Sequence, residues 1–184
     1  IYADGCNKDS IKKYNNGNLI SGFTTNPSIL KKANVKSYKK FAQELLKIIK
    51  KKPISFEVTA DEPSKIYYQA KEISSWGNNV YVKIPIVDSK GKSNISIIRK
   101  LYLEKVKLNV TAVFTKKQIS QLLRSLKTQN VKMIISIFSG RIADTGKDPN
   151  PTIKFAIKKR KTKKIKILWA SVREIYNLYE AEKC

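Results

Sequence analysis

The chain has 184 residues, a formal net charge of +24 and no histidine. Its length suits one domain, and a 41% hydrophobic content can supply a packed core. The missing histidine excludes Ser-His-Asp and Cys-His catalysis and any His-ligated metal, while two cysteines, Cys6 and Cys184, exclude a disulfide framework or a cysteine metal cluster.

In chain order, strands are expected at Ile1–Asp4, Gly22–Asn26, Ile54–Val58, Val80–Ile84, Lys107–Val113, Met133–Phe138 and Ile165–Ala170. Helices are expected between and after them at Ser37–Ile49, Ser64–Trp76, Asn94–Leu103, Lys116–Leu126, Thr152–Lys159 and Val172–Glu182. Ser37–Ile49 is the clearest, because Phe41, Leu45, Ile48 and Ile49 recur at helical spacing. Strands alternating with helices point to a parallel α/β architecture. No GxGxxG or GxxxxGK[ST] follows a strand, so the nucleotide-binding signatures of a doubly wound sheet are missing.

Alternate strand residues face opposite sides of a sheet. Tyr81 and Lys83 therefore oppose Val80, Val82 and Ile84, and Ser55 and Glu57 oppose Ile54, Phe56 and Val58. Asn109 and Thr111 oppose Leu108 and Val110, Ser136 and Phe138 oppose Ile135 and Ile137, and Tyr2 and Asp4 oppose Ile1 and Ala3. Strands buried on both faces normally read as apolar runs. Here the runs are broken on one face, near the carboxyl end. A (β/α)8 barrel accounts for that pattern, since its site lies at the carboxyl ends of its strands. Asp4, Asn26, Glu57, Lys83, Asn109, Thr111 and Ser136 are then expected to converge. The plainer alternative is a satisfied polar core.

Lys83 stands out because it sits between Val82 and Ile84. Burial disfavours a charged ammonium, and a neutral amine can attack a carbonyl to form a Schiff base. Asp4 and Glu57 are at hand to move protons. Arg141 and Arg173 follow the sixth and seventh strands, where barrels often bind phosphate; the alternative is a surface ion pair with Asp144 or Glu174. The positive charge comes from 33 Lys and only 5 Arg, spread along the chain. Base readout and phosphate grip favour Arg, so nucleic-acid or other polyanion binding ranks last. The densest block, Lys158 to Lys164, lies between a helix and the next strand, away from the expected site.

Six motifs carry a resemblance: Ala3-Asp4-Gly5, Gly22-Phe23-Thr24-Thr25-Asn26-Pro27-Ser28, Ser55-Phe56-Glu57-Val58, Tyr81-Val82-Lys83-Ile84-Pro85, Leu108-Asn109-Val110-Thr111-Ala112-Val113-Phe114 and Phe138-Ser139-Gly140-Arg141-Ile142-Ala143-Asp144. In this order the chain resembles the transaldolase family, class I aldolases on a (β/α)8 TIM barrel. It looks closest to the small branch that includes fructose-6-phosphate aldolases, and to transaldolase-like proteins of bacterial surface-polysaccharide gene clusters. The resemblance implies Lys83 as the Schiff-base lysine and Asp4 as the acid/base of retro-aldol cleavage. It implies that Glu57 and Thr111 hold a catalytic water. Asn26, Asn109 and Ser136 would orient a dihydroxyacetone unit, and Arg141, Ser171 and Arg173 would bind phosphate. Glu57 and Phe138 stand where transaldolases keep Glu and Phe, which favours transfer over simple aldol cleavage. Trp169 and Glu174 flank the phosphate residues.

The implied enzyme moves a dihydroxyacetone unit between sugar phosphates and calls for no metal or organic cofactor. A cytoplasmic homo-oligomer of the pentose phosphate pathway, with no nucleic-acid or membrane partner, is the expected setting. Alternatives are an aldolase, or another Schiff-base enzyme on a different carbonyl substrate. One barrel domain is expected over 1–184, with its eighth strand and helix lying beyond Cys184 and the true start of the chain lying before Ile1.

Overall fold

Parallel strands need a crossover connection, usually a helix, and such helices cover the faces of the sheet. The computed structural model describes residues 1–126 and 131–184, and its contacts fall into two units, Ile1–Lys83 and Ile84–Cys184. The first unit runs β1 (Tyr2–Asp4), α1 (Lys8–Asn16), β2 (Gly22–Thr24), α2 (Pro27–Lys32), α3 (Tyr38–Ile48), β3 (Ile54–Glu57), α4 (Pro63–Ser75) and most of β4 (Val80–Pro85). β1 pairs with β2, β2 with β3 and β3 with β4, all parallel. The second unit holds the end of β4, then α5 (Ile95–Leu103), β5 (Leu108–Val113), α6 (Lys116–Ser125), β6 (Met133–Ile137), α7 (Ser139–Ala143), α8 (Asn150–Lys159), β7 (Ile165–Trp169) and α9 (Tyr176–Glu182). β5 pairs with β6 and β6 with β7, again parallel. This is α/β wiring of the (β/α)8 barrel class, with seven strands among the described residues.

The helices have legible causes. Thr115 and Gln118 make a capping box at the start of α6. Asn7 Oδ1 accepts from the Ser10 N–H at the start of α1, and Asn26 Oδ1 accepts from the Ile29 N–H ahead of Pro27, the first residue of α2. α3 turns Phe41, Ala42 and Leu45 inward, and Ile49 just past its end is also buried. In the second unit Ile98, Leu101, Leu108, Val110, Ile119, Leu122, Met133 and Ile135 are fully buried.

Three helices go beyond the sequence pattern. α1 buries only Ile11 and α2 only Leu30, so neither shows a stripe of apolar residues; α7 is five residues long. The expected second strand stops at Thr24, and Asn26, still extended in its backbone, caps α2. The expected last helix begins at Tyr176 rather than Val172. Asn177 Oδ1 accepts from the backbone N–H groups of Arg173 and Glu174, which holds that stretch outside the helix. Among the described residues no helix is long and apolar enough to cross a membrane.

Leu45 has no exposed surface. Leu45→Ala is expected to lower unfolding free energy by about 2–5 kcal/mol in urea titration; a loss within about 0.5 kcal/mol, the range of surface changes, would show that α3 does not carry core packing.

Candidate active site

In the first unit, register brings the expected residues together. Asp4 pairs with Thr24 across β1 and β2, and Glu57 pairs with Lys83 across β3 and β4. The last two side chains share a face and meet: Lys83 Nζ lies 2.9 Å from Glu57 Oε2. Lys83 is only 8% exposed. Its ammonium also donates to the Thr25 carbonyl oxygen at 3.3 Å.

Asp4 is held by two donors. The Thr24 hydroxyl donates to Oδ1 at 2.9 Å, and Asn26 Nδ2 donates to Oδ2 at 3.2 Å. Asn26 thus serves the acid and the α2 cap with one amide. Thr24 was not expected as a site residue; its place opposite Asp4 becomes visible only once the register is known.

Burial pushes the Glu57 carboxyl above the ordinary glutamate range, the Lys83 charge pulls it back, and Asp4 pushes it up again. Beneath this layer lie two tyrosines on the same strand faces, Tyr2 and Tyr81. Burial pushes the Tyr2 phenol up to about 12, with Tyr81 contributing. The Tyr2 ring fills the place a side chain on Gly22 would take, which is why glycine stands opposite it.

In the second unit, Ser136 Oγ donates to Asn109 Oδ1 at 2.7 Å, both residues buried. Thr111 is 1% exposed. Its Oγ1, with Ser139 Oγ and Trp169 Nε1, has no hydrogen-bond partner among the described residues. Thr111 lies two residues before the end of β5, Ser139 just past β6 and Trp169 at the end of β7, and a buried unpaired polar group costs about 1–3 kcal/mol. Next to Thr111 the β5–β6 register shifts between Val110 and Val113, and Ala112 takes a φ of 55°. Such a bulge re-aims neighbouring side chains and often lies beside active sites. Phe138 packs edge-on against Phe114, with ring centroids 5.5 Å apart.

Arg173 is not a free cation. Its guanidinium makes a two-pronged pair with Asp144, with Nε 3.0 Å from Oδ1, and Nη1 donates to Ser171 Oγ at 3.2 Å. Arg173 holds the Asp144 carboxyl below its usual range, and Arg141 adds to this. The surface ion pair weighed from sequence for Arg173 is therefore present, and Asp144 joins the Ser171–Arg173 group. Arg141 is exposed. Ser171 has a φ of 62°, and its carbonyl lies where a Cβ on Gly140 would stand. Only glycine fits at 140 without moving that loop. The Lys158–Lys164 block runs from the last turn of α8 into the loop before β7, at the opposite end of β7 from Ser171 and Arg173.

A strand-borne lysine buried against a strand-borne carboxylate, on parallel strands of the (β/α)8 barrel class, is an arrangement suited to carbonyl chemistry through an amine. The family model described as transaldolase/fructose-6-phosphate aldolase matches residues 1–184. A Dehalococcoides mccartyi protein named "Probable transaldolase" is 35% identical over 148 residues, covering 80% of this chain and 64% of that protein. Proteins of the same name from Nitrosopumilus maritimus and Roseiflexus sp. are 33% and 30% identical, covering 100% and 98% of this chain and 79% and 80% of theirs. The chain belongs to the transaldolase/fructose-6-phosphate aldolase family.

The raised Glu57 carboxyl has a consequence for stability. A carboxyl that binds its proton more tightly when folded contributes most below its unfolded value, near 4.5. That contribution is lost as pH rises through the higher folded value. The stability of the native chain minus that of Glu57→Gln is therefore expected to fall as pH rises from 4.5 toward neutrality, measured by denaturant unfolding. A difference that grows over that window would contradict the assignment.

Proposed function

We propose that the protein is a transaldolase that carries a dihydroxyacetone unit between sugar phosphates as a Schiff base on Lys83. The observation that carries this reading is the buried Lys83–Glu57 pair at 2.9 Å. A lysine in water gains nothing from such a place, whereas an amine that must shed and regain a proton does. Family membership and the relatives' names support the same reading.

In the proposed cycle, Lys83 passes a proton to Glu57 and its lone pair attacks the ketone carbon of a substrate such as fructose 6-phosphate. Glu57, with a water held by Thr111, returns the proton to the carbinolamine hydroxyl, and water leaves. The protonated imine then draws electrons from the C3–C4 bond while Asp4 takes the C4 hydroxyl proton. An aldose phosphate departs and an enamine remains on Lys83. The enamine adds to a second aldehyde such as erythrose 4-phosphate, Asp4 returns its proton, and hydrolysis frees the lysine. Thr24 and Asn26 keep Asp4 aimed. Asn109 and Ser136 would orient the dihydroxyacetone hydroxyls, and Phe138 would wall the pocket. Arg141, Ser171 and Arg173 would take the phosphate, with Asp144 holding Arg173 in place. The reading makes residues 1–184 part of one barrel domain. It also places the enzyme in the cytoplasm as a homo-oligomer.

Borohydride trapping with fructose 6-phosphate tests this. The expected result is a reduced adduct on the peptide carrying Lys83, lost in Lys83→Met. Asp4→Asn should retain the adduct while turnover falls about 10²-fold or more. An adduct elsewhere, or none, would overturn the Schiff-base assignment. Failure to form sedoheptulose 7-phosphate when erythrose 4-phosphate is added would favour simple aldol cleavage.

A further inference from the structure

The β2–β3 ladder contains a gap that the sequence makes unavoidable. The Phe23 N–H donates to the Pro53 carbonyl at 2.8 Å, and the Thr25 N–H donates to the Ser55 carbonyl at 3.0 Å. A parallel ladder advances two residues at a time, so the next donor is residue 27 and the next acceptor is the Glu57 carbonyl. Residue 27 is proline and has no N–H. The Glu57 carbonyl would lose its partner at the position whose side chain faces Lys83.

A side chain from another element fills the gap. The Tyr38 hydroxyl, on the first residue of α3, donates to the Glu57 carbonyl at 3.0 Å. The ring is locked edge-on against Phe56 at 6.1 Å and Trp76 at 5.6 Å, and those two rings lie 5.6 Å apart. Burial pushes the Tyr38 phenol far above its usual range, so it stays a protonated donor at working pH. Thr25 is fastened on the same side. Its hydroxyl and its N–H both donate to the Ser55 carbonyl, and its own carbonyl accepts from Lys83 Nζ.

We infer that Tyr38 is a positioning residue for the Lys83–Glu57 pair: its hydroxyl replaces the ladder donor that Pro27 cannot supply and so fixes where the Glu57 carboxylate meets the lysine. The inference rests on the Schiff-base reading of Lys83 and deepens it. The groups that act on Glu57 are Lys83 on β4, Asp4 on β1 and Tyr38 on α3. Burial is the largest influence on the Glu57 carboxyl and the Lys83 charge the next, so a loosened strand end changes the pH at which it ionises.

The test is the rate of borohydride-trapped adduct on Lys83 with fructose 6-phosphate, followed against pH in the full chain. Tyr38→Phe keeps the ring contacts and removes only the donor. It is expected to slow trapping about tenfold or more and to displace the acid limb, with KM unchanged. Trp76→Phe disturbs the same aromatic cluster but keeps the hydroxyl, so it should lower Tm and leave the acid limb in place. 4-Aminophenylalanine at position 38 restores a weaker donor and should recover part of the rate; it also serves as the test variant if Tyr38→Phe does not fold. A native rate and limb in Tyr38→Phe, or an equal limb shift in Trp76→Phe, would overturn the Tyr38 assignment alone. No adduct on Lys83 in the native chain would overturn the Schiff-base reading and this inference with it.

Discussion

Lys83 and Glu57 are two opposite charges placed on neighbouring strands where little water reaches them. Removing either charge from water costs several kcal/mol, and their attraction offsets this only when geometry is good and remaining polar atoms are paired. The surrounding structure is arranged to meet that condition. The β3–β4 register puts the two residues side by side, the Thr25 carbonyl takes a second Lys83 proton, and the Tyr38 hydroxyl ties down the Glu57 backbone. Breaking a buried pair by removing one partner is costly, about 3–5 kcal/mol, because the other charge is left alone. A protein that needed only stability would place apolar residues there. Retaining an ion pair whose carboxyl already leans toward its protonated form fits a site that moves a proton between the two groups.

The second unit is shaped by a different constraint, backbone strain near strand ends. Ala112 and Ser171 both adopt left-handed φ values without being glycine, at roughly 1–2 kcal/mol each. One lies beside Thr111, and the other lies over Gly140 and beside Arg173. Strain of this kind clusters at functional positions, where a side chain must point in a direction regular structure does not offer. The unpaired Thr111, Ser139 and Trp169 polar atoms lie in the same stretches. Buried groups of this kind ordinarily have a partner, and Trp76 Nε1 in the first unit is another such group.

Much of this was legible in the chain. The seven strands fall where apolar runs meet turn residues, and the shared face of Lys83 and Glu57 followed from a period of two. The rest depends on relations between segments that are distant in the chain. Ala112 carries no left-handed signal, so simple alternation ran straight through the bulge. α1 and α2 bury one residue each and leave no stripe. Thr24 matters only because register sets it opposite Asp4. Tyr38 lies 19 residues from Glu57 on a helix, and nothing local marks it. Pro27 was in plain view, but its meaning depends on knowing which carbonyl it fails to serve.

The measurement closest to the centre of this account is a carboxyl 13C NMR titration of Glu57 in the native chain and in Lys83→Met. Burial and the lysine charge are held to act on Glu57 in opposite senses. Glu57 should therefore titrate above ordinary glutamate in the native chain, and higher still in Lys83→Met. A Glu57 that titrates at the ordinary value in the native chain, or does not move when Lys83 is replaced, would show that the two groups do not share a buried site.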